Sequence, residues 1–171
     1  MKRRHSGFSM VEVLVTLVVI AIGVLGVAAL QLNALKYTKE SFSRSAASVL
    51  AGDLSDRMRG NMAGVKAGYY ARNFGYTTAH STAVTAPSCG TTSDCNAQTL
   101  AQLDLSSWLA AIAAALPGGT GAVVPVNNNA FVYRIVVMWQ EKSLVDSSTI
   151  DASCDGPLVA GVRCQSVTFM P

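Results

Sequence analysis

Glu12 poses the sharpest chemical problem in this chain. It is a lone carboxylate placed just ahead of residues 13–30, an apolar stretch long enough to span a bilayer as a helix. An acid held in lipid costs roughly 2.5–3.5 kcal/mol on insertion scales unless it finds a partner. The other residue types that carry chemistry are sparse. No G-x-S-x-G, H-E-x-x-H or Walker A pattern occurs. Beyond His5 the only histidine is His80, set among Ala, Ser and Thr, where a solvated loop side chain is expected rather than a general base. Asp151 and Asp155, beside Gly156, are a weak calcium candidate because they lack an ordered run of oxygen ligands. The residues therefore point to no catalytic group, no cofactor and no enzyme.

Four cysteines, Cys89, Cys95, Cys154 and Cys164, all lie beyond the apolar run. An even count in an exported domain reads as two disulfides, with three pairings open. Nearest-neighbour pairing, Cys89 with Cys95 and Cys154 with Cys164, is preferred because each bond closes a polar, turn-rich loop. The gaps of five and nine residues do not match the short paired spacings of zinc motifs, and neither histidine lies near a cysteine pair, so no metal is expected.

The elements that position these residues follow from charge and periodicity. Of 171 residues half are hydrophobic and 13% are charged, and the apolar excess is concentrated near the N-terminus. The net charge of +3 comes from Lys2, Arg3 and Arg4; without them ten basic side chains face ten acidic ones. No basic field is left to argue for nucleic acid. A secretory signal places its small-residue cleavage site after the apolar core. Here Gly7 precedes the run, so cleavage there removes only the charged head. The run then reads as a membrane anchor, with Lys2, Arg3 and Arg4 on the cytoplasmic side.

The helix is expected to continue past Leu30. Leu35, Phe42, Ala46, Val49, Leu50, Leu54 and Met58 recur every three to four residues and form one candidate stripe for packing on a head. Arg57 and Arg59 followed by Gly60 make a C-terminal stop. A helix from about Phe8 to Arg59 is roughly 78 Å long. Gly23 and Gly26 interrupt the apolar half. They fit either a close helix–helix contact or a soft spot that unwinds. Residues 61–87 form a connector whose aromatics, Tyr69, Tyr70, Phe74 and Tyr76, are expected to pack over a sheet, a receptor patch being the alternative. Residues 96–116 read as a helix with Leu100, Leu103, Trp108, Leu109, Ile112 and Leu116 on its apolar face. Asp104 or Ser106 is a possible internal cap with a kink, and Pro117-Gly118-Gly119 ends the helix. Strands follow at 122–126, at 131–140 with strict alternation, and at 162–170.

The stretch Gly7-Phe8-Ser9-Met10-Val11-Glu12-Val13-Leu14-Val15 resembles the leader and N-terminus of type IV pilins and pseudopilins. That resemblance implies cleavage after Gly7 by a prepilin peptidase, N-methylation of Phe8 by the same enzyme, and a role for Glu12 in axial register during assembly. It also implies a domain plan: a leader at 1–7; a helix at 8–60, divided into a membrane and filament segment at 8–30 and an amphipathic half at 31–60; and a head at 61–171 with two disulfide loops. The implied fold is α+β and pilin-like, a long N-terminal helical spine packed on an antiparallel sheet head with an extra short helix. Further stretches, Cys95-Asn96-Ala97-Gln98, Leu116-Pro117-Gly118-Gly119-Thr120-Gly121 and Tyr133-Arg134-Ile135-Val136-Val137-Met138-Trp139, look like the minor pilins known as type IV pilus modification proteins. The implied partners are other minor pilins, the major pilin, the prepilin peptidase and the inner-membrane assembly platform. The implied location is the inner membrane with a periplasmic head, then the pilus at the cell surface. The alternatives are a type II secretion pseudopilin and an anchored periplasmic binding protein or enzyme.

Overall fold

The alternation at 131–140 becomes the centre of a sheet. The computed structural model describes residues 7–82, 84–89, 95–126, 131–141, 151, 154 and 159–170. In it β2 (Tyr133–Gln140) pairs antiparallel with β1 (Thr120–Pro125) on one side and β3 (Val162–Phe169) on the other, giving the order β1-β2-β3. Gly121 faces Val137, and Met138 faces Cys164. Because successive side chains of a strand point to opposite faces, β2 feeds two cores. Tyr133, Ile135, Val137 and Trp139 enter one, with Val123 and Phe169; Val136 and Met138 enter the other, with Ala122, Val162, Cys164, Tyr76 and Ala79. The Asn127-Asn128-Asn129 turn and most of the loop between β2 and β3 lie outside the described residues.

Among the described residues four helices accompany the sheet: α1 (Met10–Gly60), α2 (Met62–Lys66), α3 (Tyr76–Ser81) and α4 (Ala97–Ala115). The architecture is α+β and pilin-like. The chain divides into two compact units, Met1–Lys39 and Glu40–Pro171, with the division inside α1. In the first unit every described residue is exposed. In the second, α1 contributes Ala47, Ala51, Leu54 and Met58 to the larger core, beside Ala101, Leu105, Trp108 and Ile112 of α4.

The packing side of α1 matches the stripe expected from periodicity in part. Leu54 and Met58 are buried and Ala46 and Leu50 are half-buried against the same core, but Leu35, Phe42 and Val49 are 67%, 69% and 70% exposed. The buried side also runs through Ser43, Ala47, Ala51 and Ser55, small residues four apart that the stripe left out. The volume is supplied by the rings of Trp108, Tyr133, Trp139 and Phe169 in the same core. Small side chains on α1 leave room for them, which a row of Phe and Val would not.

Helix α4 runs without a break. Asn96 caps it, its Oδ1 accepting from the Thr99 N–H at 2.8 Å. Asp104 starts no new segment; it is buried and takes a hydrogen bond from Tyr70. Trp108 donates its indole N–H to the Leu50 carbonyl at 2.9 Å, tying α4 to the α1 backbone. That ring lies over Gly121, where an added Cβ would sit 2.6 Å from Trp108 Cζ3. The connector is more ordered than its glycines suggest, since α2 and α3 form within it.

Candidate assembly site at the N-terminus

The first unit is built outward from Ser9. Ser9 precedes α1 and its Oγ accepts from the Val11 N–H at 3.3 Å. Its carbonyl accepts from the N–H groups of Glu12 at 3.1 Å and Val13 at 3.3 Å. Ser9 is thus the N-cap, and Glu12 falls in the first turn, where the positive end of the helix dipole favours an acid. The Ser9-x-x-Glu12 spacing is that of a capping box. The sequence reading singled out Glu12 and missed Ser9, although this spacing was available to find it.

Gly7 and Phe8 lie in extended chain ahead of the cap. Phe8 is 85% exposed, and no atom lies within 4 Å of where a Gly7 Cβ would be. The Gly7–Phe8 peptide is therefore open to an enzyme. A free amine at Phe8 would lie four residues ahead of Glu12, just outside the first turn of α1. Behind Glu12 the apolar side chains from Val13 to Leu35 all face outward. Among the described residues, α1 is the one helix long and apolar enough to cross a membrane. It continues through Gly23 and Gly26 as α-helix. On one side Ile20, Gly23, Val24, Val27, Ala28 and Gln31 border a shallow groove of about 440 Å³.

The head holds polar groups of its own. Cys89 pairs with Cys95 and Cys154 with Cys164, with Cα–Cα distances of 5.4 and 5.2 Å. Tyr70 donates to Asp104 Oδ2 at 2.5 Å and accepts from Asn61 Nδ2 at 3.2 Å. Asn61 Nδ2 also reaches the Ala97 carbonyl at 2.8 Å, and Arg57 Nη1 lies 3.8 Å from Asp104 Oδ1. Burial first, and the hydrogen bond to Asp104 second, push the Tyr70 hydroxyl far above its ordinary value. His80 is not in a loop. It lies in α3, where its Nε2 is 2.9 Å from the Gly118 carbonyl and its ring meets Tyr76 edge-on. Asp151 Oδ2 accepts from the Cys164 N–H at 3.3 Å, and Asp155 lies outside the described residues. No group of three or more His, Cys, Asp or Glu that could hold a metal occurs among the described residues. Arg72 is the group sequence reasoning passed over. It is 4% exposed, and its chain neighbours give no sign of that burial.

Two family models match the chain. Residues 2–28 match the prokaryotic N-terminal methylation motif, and residues 29–106 match type IV pilin Tt1218. No curated protein and no solved structure matches. With the capped apolar helix and the small antiparallel sheet, these matches support a pilin subunit of a pilus or pseudopilus. Its methylation motif implies processing by a prepilin peptidase and assembly with other pilins.

Proposed function

We propose that the chain is a minor pilin of the PilV kind, a type IV pilus modification protein, that joins the priming or tip complex and so promotes pilus assembly, twitching motility and adhesion. The observation that carries the reading is the continuous, fully exposed apolar helix that begins directly behind an accessible Gly7–Phe8 peptide, with Glu12 in its first turn. Before assembly this helix anchors the chain in the inner membrane with the head in the periplasm. Afterwards it lies among the helices of other subunits. Prepilin peptidase cuts after Gly7 and methylates Phe8. Glu12 then neutralises a subunit's N-terminal amine and sets axial register. The PilV assignment within the pilins draws its support from the stretches at 95–108, 116–121 and 133–139, and it makes other minor pilins, the major pilin and the assembly platform the partners.

Intact-mass analysis of the protein from its native membrane tests the processing. A mature N-terminus at methylated Phe8 is expected; retention of Met1, or cleavage after Ala29, overturns the reading. Glu12→Gln removes the charge and keeps the shape, and is expected to leave the chain in the membrane and out of sheared filaments. Deleting the gene is expected to lower surface pilus number and abolish twitching. Intact pili with a secretion defect would assign the chain to a type II secretion pseudopilus instead.

A further inference from the structure

Arg72 is a buried cation with no carboxylate partner among the described residues. Its backbone forms a two-bond bridge with Val123, N–H to carbonyl at 2.8 Å and carbonyl to N–H at 2.9 Å. Its guanidinium donates from Nε to the Gly121 carbonyl at 3.2 Å, and from Nη2 to the Ala79 and Thr82 carbonyls at 2.6 and 2.7 Å. One face lies 5.2 Å from the Phe74 ring centroid. All these partners are neutral, and no carboxylate pairs with Arg72 among the described residues. A guanidinium has five N–H donors. Three are used here, so the two on Nη1 have no acceptor among the described residues. Burying a charge is costly unless it is paired, and burial draws this guanidinium below its ordinary value.

Arg72 also forms part of the wall of a recess of about 250 Å³ between α3 and α4. His80 and Thr82 line it as well. From α4 come Ser106, Ala110 and Ala113, which share one helix face and give it a hydroxyl and a row of methyl groups. Among the described residues no acidic side chain lines this recess, nor the neighbouring one of about 300 Å³ that Arg72 also borders. The lining therefore mixes two chemistries: the Arg72 guanidinium with polar His80, Thr82 and Ser106, and the methyl groups of Ala110 and Ala113. A carboxylate on a short aliphatic stem matches both parts.

We propose that this recess is a carboxylate-binding site in which Arg72 Nη1 receives the anion and α4 receives its aliphatic stem. The carboxylate is either an acidic side chain of a neighbouring subunit or a free short-chain acid. The first source rests on the reading of the chain as a pilus subunit; the site itself does not.

The test uses the full mature chain in detergent micelles, with the Arg72 Nε–H resonance followed by NMR and assigned by its loss in Arg72→Lys. Butyrate is titrated against chloride at equal ionic strength, and against butanol as a stem without charge. Butyrate is expected to give a shift that saturates near ~10 mM, the weak affinity one charge-assisted contact supplies. Chloride and butanol are expected to give none. The same titration with acetyl-Gly-Glu-Gly-amide and its Gln counterpart separates the sources. Saturation by the Glu peptide at lower concentration than butyrate assigns the site to a protein acid; saturation by butyrate alone assigns it to a small molecule. Ala113→Glu, at an exposed α4 position, supplies an internal acid and is expected to abolish the butyrate shift while near-ultraviolet dichroism stays native. No saturable shift with either probe, an equal response to chloride, or undiminished butyrate binding in folded Ala113→Glu overturns the proposal.

Discussion

Gly121→Ala should destabilise the head far more than a single methyl normally does. The added Cβ would stand 2.6 and 3.0 Å from Trp108 Cζ3 and Cζ2, inside the contact distance that real Cβ atoms keep. The ring cannot simply move away. It is wholly buried and held by its N–H bond to the Leu50 carbonyl at 2.9 Å. Relief requires either a shift of β1, which is paired along its length with β2, or a tilt of the ring that breaks the indole bond. Overpacking of this kind costs about 1–3 kcal/mol, and a lost buried hydrogen bond adds about 1 kcal/mol. A destabilisation of about 2–4 kcal/mol follows. At about 2–4 °C per kcal/mol for a domain approaching 150 residues, Tm should fall by roughly 5–15 °C. Urea unfolding monitored by tryptophan fluorescence reads the effect, with Trp108→Phe as the second edge of a double-mutant cycle. The smaller ring should absorb much of the Gly121→Ala penalty. Additivity of the two changes within ~0.5 kcal/mol would refute the contact as the cause.

Three further outcomes follow from the same packing. Leu54→Ala should cost about 2–5 kcal/mol, whereas Phe42→Ala, on an exposed side chain, should stay within about 0.5 kcal/mol; equal losses in denaturant unfolding would put Phe42 on the packing side of α1 as well. Tyr70 ionises at a higher pH folded than unfolded, so the folded state keeps its proton where the unfolded state gives it up. Stability from this group is complete below the unfolded value of 10.0 and declines above it, so Tyr70→Phe should flatten the alkaline fall in stability by about one proton, Tyr76 and Tyr133 supplying the rest because burial raises them too. Replacing Cys154 and Cys164 together by Ser should cost about 2–4 kcal/mol, and peptide mapping of the unreduced protein should recover the pairs Cys89–Cys95 and Cys154–Cys164.

How far the sequence could be read depended on whether one residue's role followed from its neighbours in the chain. The centre of the sheet was legible because alternation over 131–140 leaves a strand little freedom. The stop of α4 was legible because Pro117-Gly118-Gly119 admits no other outcome. The packing side of α1 was legible only in part: Ala46, Leu50, Leu54 and Met58 pack as expected, and the row of small residues beside them was missed. Its apolar residues form more than one helical stripe, and periodicity alone does not say which stripe meets bulky rings from 108, 139 and 169. Those rings select small residues, and their proximity is set by tertiary structure. Arg72 was illegible for the same reason: its acceptors are the carbonyls of Ala79, Thr82 and Gly121, and a backbone carbonyl leaves no mark on sequence. At the N-terminus the position of Glu12 could be read in full, and its cap at Ser9 was present in the same six residues but was not used.

The row Ser43, Ala47, Ala51 and Ser55 has a consequence for how such a subunit can diversify. Beside Leu54 and Met58, the side of α1 that the head relies on carries Ala47 and Ala51, which share the core with the large rings and leave little room for anything bigger. Phe42 and Val49, on another side, are largely exposed. The two sets of positions are therefore free to change at different rates. A lineage can rewrite the outward side to suit new neighbours while the inward row stays fixed. A single helix thus carries one surface that inheritance must preserve and another that it can spend on novelty.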